Sequence, residues 1–527
     1  MNSTALRARF SRSWPLLVLL LIAAVWLYRS PYSASDLEVL PDSVEYALAP
    51  LQLLETGRYE IIVEGRGLPP RYPPWFSALV ILPAYVLFGH EPGNAILPIT
   101  FLAVAGIGFA YAIGKRISST PGGLLAALIL LFLPAHSLWA TQVMTDVPCT
   151  ALMLAACFLY LHLLNKPEAL RLYFGAGVLV AVTTLFRPVF SAMLLPFLFA
   201  ILRERRRIFL RALLLLAPMA ASVAATFAYN ASTFGSPFRN GYNFWAALPY
   251  DYFGRTFSLS YVRSNLVVLG SIGLPILILV CLAAVVLARK FRPSAFAASR
   301  QSFYNVLLFF LLTTCPILLF HLFYFFPDDR FHLPSLAGVS VLAGSMLALL
   351  GGPGRETILK LLLPAVFLIA IGARMAAPAP VPARRIAAEQ VRRNTPDNAI
   401  VISSIDPVYL ARLAGTGSAR RIVPLSRNVE FAWALLVRKR VDDPRLRSFK
   451  WVDLLQALEL LRPHAEEAVR FVASERMDEL AAEVARGTPV FFEGAFVSPR
   501  DAKVVTGFIA RFKLVKRAPN LYQLQMR

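Results

Sequence analysis

Charge is scarce in this chain: only 16% of its 527 residues are Asp, Glu, Lys or Arg, while 57% are hydrophobic. A soluble protein of this length cannot bury that much apolar surface, so the bilayer is its main solvent. Cysteine is nearly absent. The four present (Cys149, Cys157, Cys281, Cys315) lie in or beside apolar runs, which excludes a disulfide framework in the C-terminal region. The six histidines are scattered, without HExxH or paired-cysteine spacing. No cofactor is required by the pattern; carboxylates alone leave a divalent metal open, though nothing supports one. A phosphate-binding glycine loop is also missing, since Gly415-Thr416-Gly417 follows a helical segment and reads as a helix stop. There is no internal repeat.

What charge there is leans basic, with 53 Lys and Arg against 31 Asp and Glu. The net charge of +22 is not a nucleic-acid footprint, because the basic residues sit in short clusters between apolar runs. That is the pattern of cytoplasmic loops. The first apolar run, 14–29, follows Arg7, Arg9 and Arg12 and reads as a retained anchor rather than a signal peptide cleaved near Ser33-Ala34-Ser35. Further runs near 95–113, 122–140, 147–164, 172–186, 188–202, 208–229, 264–288, 303–325, 331–350 and 356–374 bring the total to about eleven spans. Counting 74–88 as a span would put Lys115-Arg116 outside and invert every later loop. Leaving it out places the Arg203-to-Arg211 cluster and the other basic loops inside, so 74–88, with its internal Pro83, reads as an interfacial helix on the outer leaflet.

This arrangement predicts an all-α polytopic membrane domain over 1–375, with a first outer loop at 30–92, in an inner (plasma) membrane. The N-terminus is cytoplasmic. A Pro/Ala linker at 376–384 leads to a small extracytoplasmic α/β domain at 385–527. In that domain Ala399–Ser403, Arg421–Pro424, Pro489–Phe492 and Tyr522–Gln525 are strand-like, between amphipathic segments 452–462 and 474–486.

Polar residues gather at the outer ends of the apolar helices. Asp42-Ser43-Val44-Glu45-Tyr46 opens a helical segment, and Arg71-Tyr72-Pro73-Pro74 follows. Thr145-Asp146-Val147-Pro148 starts a span, Arg187-Pro188 separates two, and Pro327-Asp328-Asp329-Arg330-Phe331 separates two more. Each has a plain structural alternative. Asp42 and Glu45 have the spacing of a capping box. Asp146 suits a helix cap with Pro148 in the first turn. Arg187 and Arg330 suit snorkelling to lipid headgroups.

In order and sidedness these motifs resemble the GT-C superfamily of integral-membrane glycosyltransferases, in the branch of protein O-mannosyltransferases and the lipid A aminoarabinose transferase. The likeness covers most of residues 10–375. Ser43 stands where the mannosyltransferases commonly have a second carboxylate, Trp75 stands where a glycine often follows the paired prolines, and the C-terminal region is not a β-trefoil.

The resemblance implies sugar transfer, with inversion, from a polyprenyl-phosphate donor to an acceptor hydroxyl on an envelope glycan, lipid or protein. Asp42 would be the general base. Arg187 and Arg330, with Arg71 as a third candidate, would grip the phosphate leaving group, which needs cations and no general acid. Asp146 would orient the acceptor or hold an arginine, and Glu45 would be the second carboxylate if one is needed. Tyr72, with Tyr46, would shape the sugar pocket. The alternatives are a ligase or polymerase of lipid-linked glycans, a secondary transporter and a non-catalytic envelope scaffold. A transporter places its ionisable residues near the bilayer midplane in repeated halves, which this sequence lacks.

Overall fold

The computed structural model describes residues 3–27, 41–63, 66–245, 253–272, 297–349, 383–413, 420–425, 477–497 and 502–527, with Tyr250 and Leu368. The expected span 356–374, most of 264–288, Gly415–Gly417, the amphipathic segment 452–462 and most of the linker lie outside them. The chain forms two compact units. One comprises residues 1–34, 75–238 and 253–380; the other comprises 35–74, 239–252 and 381–527.

The first unit is helical. Among the described residues five helices are long and apolar enough to cross a membrane: Pro92–Ile117, Asp146–Asn165, Ile208–Phe234, Gln301–Leu322 and Asp329–Ala348. Shorter apolar helices occupy Trp14–Leu27, Ser77–Phe88, Thr120–Leu131 and Leu170–Phe186. Two expected spans are broken where proline dictates. The run 122–140 is a helix at Thr120–Leu131, a stop at Phe132 and Leu133, and a separate turn of helix at Pro134–Trp139. The run 188–202 begins as a 3₁₀ segment, Pro188–Met193, before the helix Leu194–Glu204.

The expected interfacial helix is helical throughout 75–88 but contains a π-turn at Ser77–Ile81. Pro83 has no N–H for the carbonyl four residues back, and the ladder is re-phased just before it. At about 1.5 Å per residue this helix is too short for a roughly 30 Å hydrocarbon core. Its exposed side chains include Leu79, Val86, Leu87 and Phe88.

Small residues let the helices approach. A Cβ on Gly344 would lie 2.2 Å from the backbone nitrogen of Ala126, so Leu333–Leu349 packs backbone to backbone on Thr120–Leu131. Gly344→Leu should therefore lower the thermal midpoint in detergent, through overpacking of about 1–3 kcal/mol. An unchanged midpoint would show that these helices have room to part.

The second unit is built on a five-stranded mixed sheet. Its strands are β3 (Ile400–Ser403), β4 (Arg421–Pro424), β5 (Val490–Glu493), β6 (Phe512–Ala518) and β7 (Leu521–Met526), in the order β4-β3-β5-β7-β6. β3 runs parallel to β4 and β5, while β7 is antiparallel to β5 and β6. Every residue of β3 and β5 is buried, which is why these strands read as continuous runs rather than alternating ones. The four expected strands are present within a residue or two. The helix Ala502–Arg511 and strand β6 were not expected. A small hairpin, β1 (Ile61–Val63) with β2 (Arg66–Leu68), also belongs to this unit.

Candidate functional site

The expected site residues form two clusters, one in each unit. In the helical unit the cluster begins with a proline. Pro188 disfavours helical backbone at the residue before it, so Arg187 adopts φ −152°, ψ 107° and ends the helix Leu170–Phe186. Its guanidinium forms an ion pair with Asp146. Asp146 is the first residue of its helix, is only 2% exposed, and turns its carboxylate to Arg187. Capping, the alternative reading of Asp146, does not describe this geometry.

Arg330 is held by its own neighbourhood. Asp328 caps the 3₁₀ turn Asp329–His332 by accepting the Arg330 backbone N–H at 3.2 Å, and its second oxygen lies 3.0 Å from Arg330 Nε. Arg330 Nη1 lies 3.0 Å from the Met144 sulfur. The guanidinium carbon sits 5.3 Å from the Trp139 ring centre and 5.1 Å from that of Phe331. Trp139 is fixed in turn, its Nε1 donating to Asp329 at 2.7 Å. Arg187 lies 4.9 Å from the same Phe331 ring, against which His321 also stacks at 4.7 Å. Two guanidiniums thus share one aromatic platform, each steadied by a carboxylate. With arginine side chains 20% and 10% exposed, both guanidiniums are held among their neighbours and are not extended as snorkelling side chains are. Planar forks fixed in this way suit phosphate oxygens.

Burial pushes the Asp328 carboxyl up to about 6, against the opposing pull of Arg330. An acid whose pKa is higher folded than unfolded holds its proton more tightly in the native state. Its stabilising contribution is complete below the ordinary value of 3.8 and is lost as pH rises through about 6. The thermal midpoint should therefore fall between about pH 4 and pH 6, and Asp328→Asn should flatten that fall. Equal slopes in the two proteins would exclude Asp328 as the titrating group.

The second unit holds the other cluster. The helix Pro41–Thr56 carries Asp42 and Glu45 in its first turns. Arg71 Nη2 donates to Glu45 Oε1 at 2.9 Å, the Arg71 backbone N–H donates to Glu45 Oε2 at 2.6 Å, and Arg71 Nη1 lies 3.5 Å from Asp42 Oδ1. Both Glu45 oxygens therefore serve Arg71, and the pair is not a capping box. Burial raises the Glu45 carboxyl above its usual range against the pull of Arg71. Burial and then the Asp42 carboxylate raise the Tyr72 hydroxyl, leaving it a neutral group at physiological pH.

Tyr72 stacks on Tyr46 at 4.2 Å and meets Tyr242 edge-on at 5.5 Å. The approach of the 239–252 segment depends on Gly241, where a Cβ would lie 2.2 Å from the Arg71 carbonyl oxygen. Gly241, Tyr242, Trp139 and Met144 were not foreseen. Their partners are remote in sequence, and no local pattern announces them. Asp328 was a different case, because its place two residues before Arg330 was a visible capping signal.

Residues 70–229 match the family model described as dolichyl-phosphate-mannose-protein mannosyltransferase. No curated protein matches the chain significantly in sequence. In fold the chain is similar to the crystal structure of ArnT from Cupriavidus metallidurans bound to undecaprenyl phosphate. The TM-score is 0.59 at 14% identity, over 99% of this chain and 98% of that one. The apo form of the same protein gives 0.59 at 13% identity, over 98% of each chain. Archaeal oligosaccharyltransferase AglB from Archaeoglobus fulgidus, in complex with an inhibitory peptide and a dolichol-phosphate, gives 0.50 at 11% identity, over 80% of this chain and 65% of that one. The family match runs from residue 70 past Arg187, and the fold is similar to that of ArnT over almost the whole chain, which supports the resemblance to the GT-C superfamily of integral-membrane glycosyltransferases.

Proposed function

We propose that the chain is an inverting glycosyltransferase that moves a sugar from a polyprenyl-phosphate donor to an acceptor hydroxyl outside the cytoplasm. The observation that carries this reading is the pair of guanidiniums, Arg187 and Arg330, set over the Phe331 ring at the ends of apolar helices. A lipid phosphate needs such a place: apolar walls for its tail and fixed cations for its headgroup. The likeness to a structure bound to undecaprenyl phosphate supports the same donor chemistry.

In this reading Arg187 and Arg330 hold the phosphate and neutralise the charge it gains as the glycosidic bond breaks. Asp146 and Asp328 position those arginines. Asp42, the more exposed of the two carboxylates beside Arg71, takes the proton of the attacking hydroxyl, while Glu45 fixes Arg71. Tyr72 and Tyr46 offer an aromatic wall for the sugar. The basic loops support an extracytoplasmic position for the polar groups, at an inner membrane.

Mass spectrometry of envelope and lipid extracts tests this. Cells without the protein should lose one glycan mass and accumulate a polyprenyl-phosphate monosaccharide. Accumulation of a lipid-linked oligosaccharide would favour the second reading, transfer of whole glycans, which the AglB likeness supports. Identical extracts with and without the protein would overturn both.

A further inference from the structure

The C-terminal sheet region has no catalytic motif, yet one of its helices, Pro407–Leu413, touches the helix that bears Asp42. The helix Pro41–Thr56 ends awkwardly: Glu55 lies in its last turn, where the backbone carbonyls already concentrate negative charge and no basic residue of the helix answers it. The missing cation comes from far along the chain. Arg412 places both terminal nitrogens on the two oxygens of Glu55, a planar fork on a carboxylate. Beside it Val408 packs against Ala49 and Ile61, with Tyr59 and Leu68.

Arg412 is itself rigidly mounted. Its helix, Pro407–Leu413, is capped by Asp406, which accepts the N–H groups of Val408 at 2.9 Å and Tyr409 at 3.2 Å. That cap follows directly from the end of β3, where Glu493 is 2% exposed and accepts from Ser403 Oγ at 3.0 Å, Ser404 Oγ at 2.9 Å and the Ala495 N–H at 2.7 Å. A continuous path of fixed groups therefore runs from the ends of β3 and β5, through Asp406 and Arg412, to Glu55 and along one helix to Asp42 and Glu45.

We infer that Arg412 and Glu55 are positioning residues, through which the C-terminal sheet sets the placement of the carboxylates at the other end of the helix Pro41–Thr56. The inference rests on the proposed role of Asp42 and gives the soluble domain a part in the same reaction. The helix is a stiff lever, so rotation or slippage at Glu55 is carried to Asp42, and about 1 Å of misplacement costs on the order of 10²-fold in rate.

The test uses the full chain at matched membrane levels, with glycan output read by mass spectrometry and undecaprenyl phosphate binding read on purified protein. Arg412→Glu and Glu55→Arg should each cut output at least tenfold, while undecaprenyl phosphate affinity stays within about twofold of wild type. The double variant, which restores the ion pair reversed, should recover most of the output; a protein that merely misfolds on losing Arg412 would lose undecaprenyl phosphate binding along with its output. Wild-type output from Arg412→Glu, or no recovery in the double variant, overturns the positioning role. Wild-type output from Asp42→Asn overturns the base assignment instead, so the two failures are distinguishable.

Discussion

Asp42→Asn should reduce glycan output by about 10²–10⁴-fold, the usual worth of a positioned proton transfer, while leaving the protein folded and able to bind undecaprenyl phosphate. The amide keeps the size of the carboxylate and can still accept from Arg71, so the helix Pro41–Thr56 has no reason to move. What disappears is the ability to take a proton. Glu45→Gln is the discriminating control. Glu45 gives both oxygens to Arg71, so its loss loosens Arg71 and lets that guanidinium draw Asp42 closer. A smaller fall in output, with a changed pH profile, is expected there. If instead Glu45→Gln abolishes output and Asp42→Asn does not, the base is Glu45 and the roles must be exchanged. Mass spectrometry of extracts from strains at equal expression decides between these results, because a blocked transferase leaves its lipid-linked donor behind.

The second large effect lies in the paired arginines. Arg187→Ala and Arg330→Ala should each lower output by about 10²–10³-fold, the range seen when one fixed donor to a developing anion is removed. Both should also weaken undecaprenyl phosphate binding, a loss not expected for Asp42→Asn. Lysine should not substitute for either arginine, since it offers a single point charge in place of a planar fork and stacks poorly on Phe331 and Trp139. Asp146 separates holding from catalysis. Asp146→Ala strands a largely buried guanidinium, and breaking such a pair costs about 3–5 kcal/mol, less whatever the partial exposure of Arg187 recovers. Adding Arg187→Leu to Asp146→Ala should restore most of the thermal stability and none of the output. Full activity in Asp146→Ala would remove Asp146 from the site.

Much of the fold was legible because the bilayer imposes simple rules. Among the described residues long apolar runs are helices, and Pro83 and the brevity of 74–88 marked a helix shorter than a membrane span. Strands β3 and β5 were found because a strand buried on both faces is an unbroken apolar run. Strand β6 was missed for the opposite reason. Lys513, Lys516 and Arg517 interrupt it, as charges do on an edge strand with one side to water. The break at Phe132 was missed because hydropathy does not register a proline stop within an apolar run. Asp146, Arg187 and Arg330 stood out as charges at the ends of apolar helices. That Arg187 and Arg330 share the Phe331 ring was not visible, because a ring contact leaves no trace in local pattern.

The way the chain is threaded bears on how this protein can be cut and recombined. The backbone passes between its two units at 34/35, 74/75, 238/239, 252/253 and 380/381. Removing everything after residue 380 therefore does not excise a module. It strips away Arg412 and Val408, against which the Asp42 helix is set, and leaves 35–74 and 239–252 as orphan insertions in a membrane bundle. A chimera that exchanges the C-terminal region with a relative must carry all three segments together, and a soluble fragment for crystallography would have to be stitched from them with two new linkers. Natural drift is bound in the same way: changes at the helix Pro407–Leu413 are answered not only by neighbours in the gene but also by residues encoded more than three hundred codons upstream.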